Sequence, residues 1–338
     1  MHTIIHGDCL EELKKIDDNS VDAVITDPPY GLSNTKPAQV ADVLAAWVTG
    51  ETEKVPAKRG GFMGKDWDSF VPPPAVWQEC MRVLKPGGHM AVFAGARTQD
   101  LMGLSIRLAG FEIRDTLGWV YGSGFPKSMD VSKAIDKAAG AEREVVGRAK
   151  GAQAESTGRY GAWGNDRGDG ISEYNLTAPA TSEAQRWDGW GTALKPAIEP
   201  IILARKPLDG TVANNVLAHG VGGLNIDACR VATGDTLSIG SGKPAFASDF
   251  SGSNPGTQNP AGRFPANVLL DEHAATEMDE QSVGASRFFP VFKYQAKAPK
   301  KERPVIEREA VYGLRDDLTE DQVDYVLARL REAGVETG

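Results

Sequence analysis

The residues with the clearest chemical potential are Thr26-Asp27-Pro28-Pro29-Tyr30, which close the apolar run Val21–Thr26. Neither strand nor helix continues through the two prolines, so the run must end in a turn there. In an open α/β sheet, ligands bind beyond the carboxyl ends of the strands, where such a turn sits. Its residue types suit the alkylation of an exocyclic amine, a poor nucleophile because its lone pair is delocalised into the ring. Asp27 can accept one N–H and the Pro28 carbonyl the other, localising the lone pair and aiming it at a methyl donor. Tyr30 offers a face on which an extruded base can stack, since the amine is out of reach inside a duplex. On these residues alone, a plain Pro-Pro turn with an exposed Asp and a packed Tyr is the alternative.

The surrounding pattern is of strands alternating with helices, which indicates an α/β fold with a parallel sheet. Strands are expected at Thr3–His6, Val21–Thr26, His89–Ala94 and Glu112–Tyr121, and helices at Leu10–Ile16, Pro74–Leu84 and Thr98–Leu108. Lys85-Pro86-Gly87-Gly88 is read as the stop between the second helix and its strand, and residues 31–70 as a polar insertion. The stretch 147–262 holds 19 of the chain's 38 glycines, and with its Ser, Thr, Asn and Pro it reads as a loop-rich recognition region. Apolar islands at Pro200–Ala204, Thr211–Ala218 and Arg263–Leu270 interrupt it, while 151–190 and 236–260 have the composition of disorder. Three parts follow: 1–140 as a catalytic α/β part, 141–290 as a Gly-rich recognition region with returning core segments, and 291–338 as a basic segment with a terminal amphipathic helix. That helix is signalled by Thr319 and Gln322 at capping-box spacing, by Val323, Val326, Leu327 and Leu330 on one face, and by Gly334 as its stop.

The 338 residues carry a net charge of −9, the wrong sign for a protein that coats nucleic acid. A local basic face still suffices for a nucleic-acid enzyme. The run 293–303 provides one: Lys297, Lys300, Lys301 and Arg303 are candidate DNA-binding residues, with Phe288, Phe289 and Phe292 just upstream. No apolar run is long enough to span a membrane and no signal peptide is read at the N-terminus, so a cytoplasmic protein is expected. Cys9, Cys80 and Cys229 form no metal-ligand or disulfide pattern and read as buried apolar thiols.

Asp27-Pro28-Pro29-Tyr30 resembles the catalytic motif of the amino-group DNA methyltransferases, which modify adenine N6 or cytosine N4. His6-Gly7-Asp8-Cys9-Leu10 and Asn19-Ser20-Val21-Asp22 upstream, and Arg82 through His89 downstream, resemble the same family. The blocks from Trp119 to Lys127 and from Ala193 to Pro200 look like those of phage- and prophage-type DNA methylases, so the likeness covers most of residues 2–300. It implies a Rossmann-like methyltransferase sheet, S-adenosyl-L-methionine as cofactor, double-stranded DNA as substrate, and direct methyl transfer to a flipped base. It further implies catalytic roles for Asp27, Pro28, Pro29 and Tyr30, and a cofactor-side position for Asp8 and Cys9. Asp at the head of the motif resembles the adenine-N6 members; a cytosine-N4 enzyme and an inactive DNA- or partner-binding remnant are the other readings.

The chain departs from the family in one respect. Asp-Pro-Phe-x-Gly-x-Gly, the loop that the family places on the cofactor, does not occur in these 338 residues. Gly122-Ser123-Gly124 follows a strand but runs into Phe125-Pro126, which opens no helix to present N–H groups. In the family, strands adjoining that loop lie centrally, beside the catalytic strand. Their absence leaves two expectations: an unpaired edge on the Val21–Thr26 strand, or Thr3–His6 moved in beside it. A second polypeptide supplying the loop is one explanation, with a decayed gene or a truncated chain as the others.

Overall fold

The computed structural model describes residues 5–33, 35–56, 68–122, 124, 128–150, 173–233 and 262–293. The chain divides into two units, one formed by Met1–Asp130 with Trp190–Lys293 and the other by Val131–Gly189 with Tyr294–Gly338.

The larger unit is built on a six-stranded sheet. Its elements in chain order are α1 (Cys9–Leu13), β1 (Val21–Thr26), α2 (Pro37–Val48), α3 (Pro74–Val83), β2 (Leu84–Phe93), α4 (Gln99–Leu108) and β3 (Glu112–Val120). After the second unit the chain returns as β6 (Ile198–Arg205), α7 (Val212–His219), β7 (Val268–Asp271), α8 (Glu272–Gln281) and β8 (Val291–Phe292). The strand order is β1-β2-β6-β3-β7-β8. β1 and β2 run parallel, as do β3 with β7 and β7 with β8. The sheet is therefore mixed rather than purely parallel: β6, from the island Pro200–Ala204, is antiparallel to both β2 and β3. Its Ile201, Ile202 and Ala204 are buried, as the apolar run requires of a central strand.

The core lies on one face of this sheet, where Met90, Val92, Ile202 and Ala204 meet Trp77 of α3 and Met102 and Ile106 of α4. Pro74 opens α3 at its first turn, where a missing N–H costs nothing. Lys85-Pro86-Gly87-Gly88 does not separate a helix from a later strand. β2 begins at Leu84, and the four residues form an irregularity within it, because Val21 pairs with Leu84 but Ala23 pairs with His89. The stretch 31–70 is more ordered than its composition suggests. Val40, Val43, Leu44 and Trp47 fall at helical spacing on α2, and Val43 and Trp47 are buried in the core.

β1 is the exposed edge of the sheet. Among the described residues it has one strand neighbour, β2, and Ile25 remains 79% exposed. The expected strand at Thr3–His6 does not cover it: Ile5 and His6 are not in a strand, and Thr3 and Ile4 lie outside the described residues. Among the described residues, the outer edge of β1 is unpaired.

The second unit contains α5 (Val131–Ala138), β4 (Val145–Lys150), β5 (Glu173–Thr177) and α6 (Ser182–Arg186), with β4 and β5 forming an antiparallel pair. The described part of 151–190, from Glu173 onward, is thus ordered rather than disordered. The unit is tied together by Asp136, whose carboxylate accepts hydrogen bonds from the Ala180 and Thr181 N–H groups, the Thr181 hydroxyl and Arg143. Burial alone would raise this carboxyl, but those donors hold it below the usual range. A depressed folded pKa contributes stability above the unfolded value, about 3.9, and that stability is lost as pH falls through the folded one. The amides of Ala180 and Thr181 are expected to lose hydrogen-exchange protection below about pH 4. Asp136→Asn should remove protection at neutral pH and flatten the dependence.

Candidate active site

The loop after β1 is fastened at its far end. The Gly31 N–H donates to Oδ1 of buried Asp68 at 3.0 Å, and the Tyr30 carbonyl accepts from the Thr98 hydroxyl at 2.6 Å. Gly31 has φ +65°, and a Cβ there would stand 2.6 Å from the Val71 nitrogen, so only glycine fits. Gly95, after β2, lets the loop approach: a Cβ on it would lie 3.4 Å from Cβ of Tyr30.

Asp27 is exposed, while Pro28, Pro29 and Tyr30 are half-buried. The Tyr30 hydroxyl bonds to Asp27, and its pKa is driven far up, first by burial, then by that bond, then by the charge of Glu199. Tyr30 therefore stays a neutral phenol. Beside the loop opens a cavity of about 740 Å³, within the size range of small-molecule sites. Asp27, Pro28 and Pro29 line it together with Asp8, Cys9, Ile25, Trp77 and Cys80, whereas Tyr30 is not among its lining residues. The structure thus brings together five of the six residues singled out as catalytic or cofactor-binding and turns Tyr30 toward Asp27 and Glu199.

Asp8 serves as the N-cap of α1, accepting from the Leu10 N–H at 2.9 Å, and lines the cavity at the same time. Cys80 is buried and its thiol is pushed up to about 12 by that burial, so neither redox nor nucleophilic chemistry is expected of it at neutral pH. Cys9 and Cys229, expected to be buried, are exposed. Lys297, Lys300, Lys301, Arg303 and the helix over 319–332 lie outside the described residues.

Trp77 escaped the sequence reading. It is 2% exposed, lines the cavity, and its indole N–H has no hydrogen-bond partner among the described residues. A buried donor without a partner carries a desolvation cost that a bound ligand can relieve. Nothing in the sequence distinguishes this tryptophan from an ordinary core residue of α3.

The larger unit thus carries a mixed sheet with a carboxylate–prolyl turn at a strand's carboxyl end, opening on a cavity. Residues 21–140 match the family model described as DNA methylase. Similar proteins include the type II methyltransferase M.HindIII of Haemophilus influenzae, 26% identical over 243 residues, covering 66% of this chain and 64% of that protein. The DNA adenine methyltransferase YhdJ of Escherichia coli is 34% identical over 121 residues, covering 36% of this chain and 34% of that one. Among solved structures, a crystal structure of an M1.HpyAVI–SAM complex shares 12% identity, covering 88% of this chain and 94% of that one, with a TM-score of 0.27. The family match and the sequence relatives make residues 21–140 of this chain similar to DNA methylases. The chain spans less than two thirds of the length of either curated relative.

Proposed function

We propose that this protein is a DNA methyltransferase that transfers the methyl group of S-adenosyl-L-methionine to N6 of an adenine flipped out of double-stranded DNA. The observation that carries this reading is the position of Asp27, solvent-accessible and at the wall of the cavity beside Pro28. Asp27 would accept one amine N–H and the Pro28 carbonyl the other, while Tyr30, anchored on Asp27, would flank the base. The 34% identity to a protein named as a DNA adenine methyltransferase supports adenine over cytosine, as does aspartate at the head of the motif.

The cavity suits the nucleoside end of the cofactor. Asp8 and Cys9 would hold it there, and the Trp77 N–H would gain a partner. When bound, the cofactor supplies an electrophilic methyl group on a sulfonium. A glycine-rich loop for its amino-acid end is not found in these 338 residues. The edge of β1, open among the described residues and with Ile25 exposed, supports a complementing segment on a second polypeptide that pairs with this strand. The Gly-rich stretch 141–290 would select the target sequence, and Lys297, Lys300, Lys301 and Arg303 would meet phosphates. Such an enzyme would work in the cytoplasm, alone or within a restriction-modification pair.

The test is incubation with labelled S-adenosylmethionine and DNA of mixed sequence, with and without a fragment carrying Asp-Pro-Phe-x-Gly-x-Gly, followed by nucleoside digestion. The expected product is N6-methyladenine, formed mainly when the fragment is present. N4-methylcytosine would move the assignment to the other base. No methylated base under either condition would overturn the reading in favour of an inactive binding protein, and strong turnover without the fragment would overturn the second polypeptide.

A further inference from the structure

Resting on that function, we propose that Glu199 is a positioning residue of the amine site, acting through Asp27 as a second negative charge beside the methylated nitrogen. The sheet register brings the two carboxylates together. Thr26 pairs with Val92, and Val92 with Ile202, so these three share the core face. Side chains alternate along a strand. Asp27, Phe93, Ile201 and Glu199 therefore belong to the opposite face, at the end of the sheet where the catalytic loop leaves it. The pairing of Phe93 with Ile201, continued by the bond from the Ala94 N–H to the Pro200 carbonyl at 2.9 Å, sets Glu199 level with Gly95. Gly95 has no side chain to intervene and packs against Tyr30.

Glu199 is half-buried, and no hydrogen bond or ion pair with another described residue holds its carboxylate. Carboxylates withdrawn from water are normally paired, and one left unpaired beside a reactive group points to an electrostatic role. Burial raises its pKa, and the charge of Asp27 raises it further. The titratable groups facing this corner are Asp27 and Tyr30 from the loop after β1 and Tyr121 from the end of β3.

The chemistry uses the extra charge at two points. As the nitrogen lone pair forms its bond to the methyl group, the donor's C–S bond breaks with its electron pair on sulfur, and positive charge develops on nitrogen. An ionised Glu199 stabilises that charge and strengthens Asp27 as acceptor of the proton the nitrogen must then shed. Asp27 passes that proton on to water. As pH falls, Glu199 protonates earlier than an ordinary glutamate, and the assistance is lost.

Carboxyl NMR of the whole chain, at natural sequence and as Asp27→Asn, provides the first measurement. Glu199 is expected to titrate above the usual glutamate range and to move back toward it in the variant. A Glu199 that titrates in the ordinary range, or is indifferent to Asp27→Asn, overturns the proposal whether or not the chain turns over. In the methylation assay above, Glu199→Gln is expected to lower kcat about tenfold with KM for DNA little changed. It should also erase the acid limb of the pH profile, and Glu199→Asp should restore much of both. An acid limb that survives Glu199→Gln counts against the proposal while leaving the methyltransferase reading intact. Undiminished methylation by Asp27→Ala would instead bring down that reading, without altering the titration result.

Discussion

Asp27→Ala is expected to reduce methyl transfer by about 10²–10³-fold in kcat, the scale found when one preorganised electrostatic contact to a transition state is removed. DNA affinity should change far less, because binding to phosphates is carried elsewhere on such proteins. Stability should largely hold too. Asp27 is exposed, and the loop keeps its anchors, Asp68 on Gly31 and Thr98 on the Tyr30 carbonyl, although the bond from the Tyr30 hydroxyl to the carboxylate is lost. The loss should therefore appear in kcat, with stability in urea lowered by no more than about 1 kcal/mol, the net worth of the lost hydroxyl bond. A variant that unfolds early would mean that the carboxylate holds the loop rather than the substrate. Asp27→Asn separates charge from hydrogen bonding: it keeps an acceptor for one amine N–H but removes the negative charge.

The second large effect concerns Trp77. Trp77→Ala is expected to destabilise the larger unit by about 3–5 kcal/mol, from lost burial and the cavity left between α3 and the sheet. Trp77→Phe should cost much less. It keeps most of the apolar contact and deletes an indole N–H that has no partner among the described residues, a group whose burial costs about 1–3 kcal/mol. The informative comparison is the cofactor. If the N–H meets S-adenosylmethionine in the adjoining cavity, Trp77→Phe weakens its binding by calorimetry while urea denaturation shows little loss. Equal cofactor affinity in the two proteins would leave this donor an isolated imperfection of the core.

The turn after β1 was legible because its signal is local. Val21–Thr26 is an apolar run closed by two prolines, and β1 ends where that pattern ends. The same holds for α3, with its proline start and amphipathic stripe, and for β3 at Glu112–Val120. What could not be read was order in space. Pro200–Ala204 is plainly an apolar island, yet nothing local says that β6 enters the middle of the sheet in the reverse direction. That placement decides where Glu199 lies, so the residue's proximity to Asp27 was hidden with it. Two other features were readable but overlooked. The spacing of Val40, Val43, Leu44 and Trp47 marks a helix inside a stretch dominated by polar residues and glycine. Lys85-Pro86-Gly87-Gly88 carries strong turn residues, but a bulge inside β2 uses the same residue types as a stop before a strand. The orphan N–H of Trp77 depends on what fails to surround it, a property that no residue pattern encodes.

Where the chain leaves the sheet after β3 and where it comes back before β6 are stitched to each other. Ser128 accepts from the Thr192 and Ala193 N–H groups, Thr192 accepts from the Met129 N–H, and Asp130 bridges to Gly191. The stretch from 131 to 189 thus departs and re-enters through a closed collar. An excursion of that kind can grow, shrink or be exchanged without rethreading any strand, since the sheet registers only the collar. The turn after β1 and its anchors, Asp68 and Thr98, would keep their places through such an exchange.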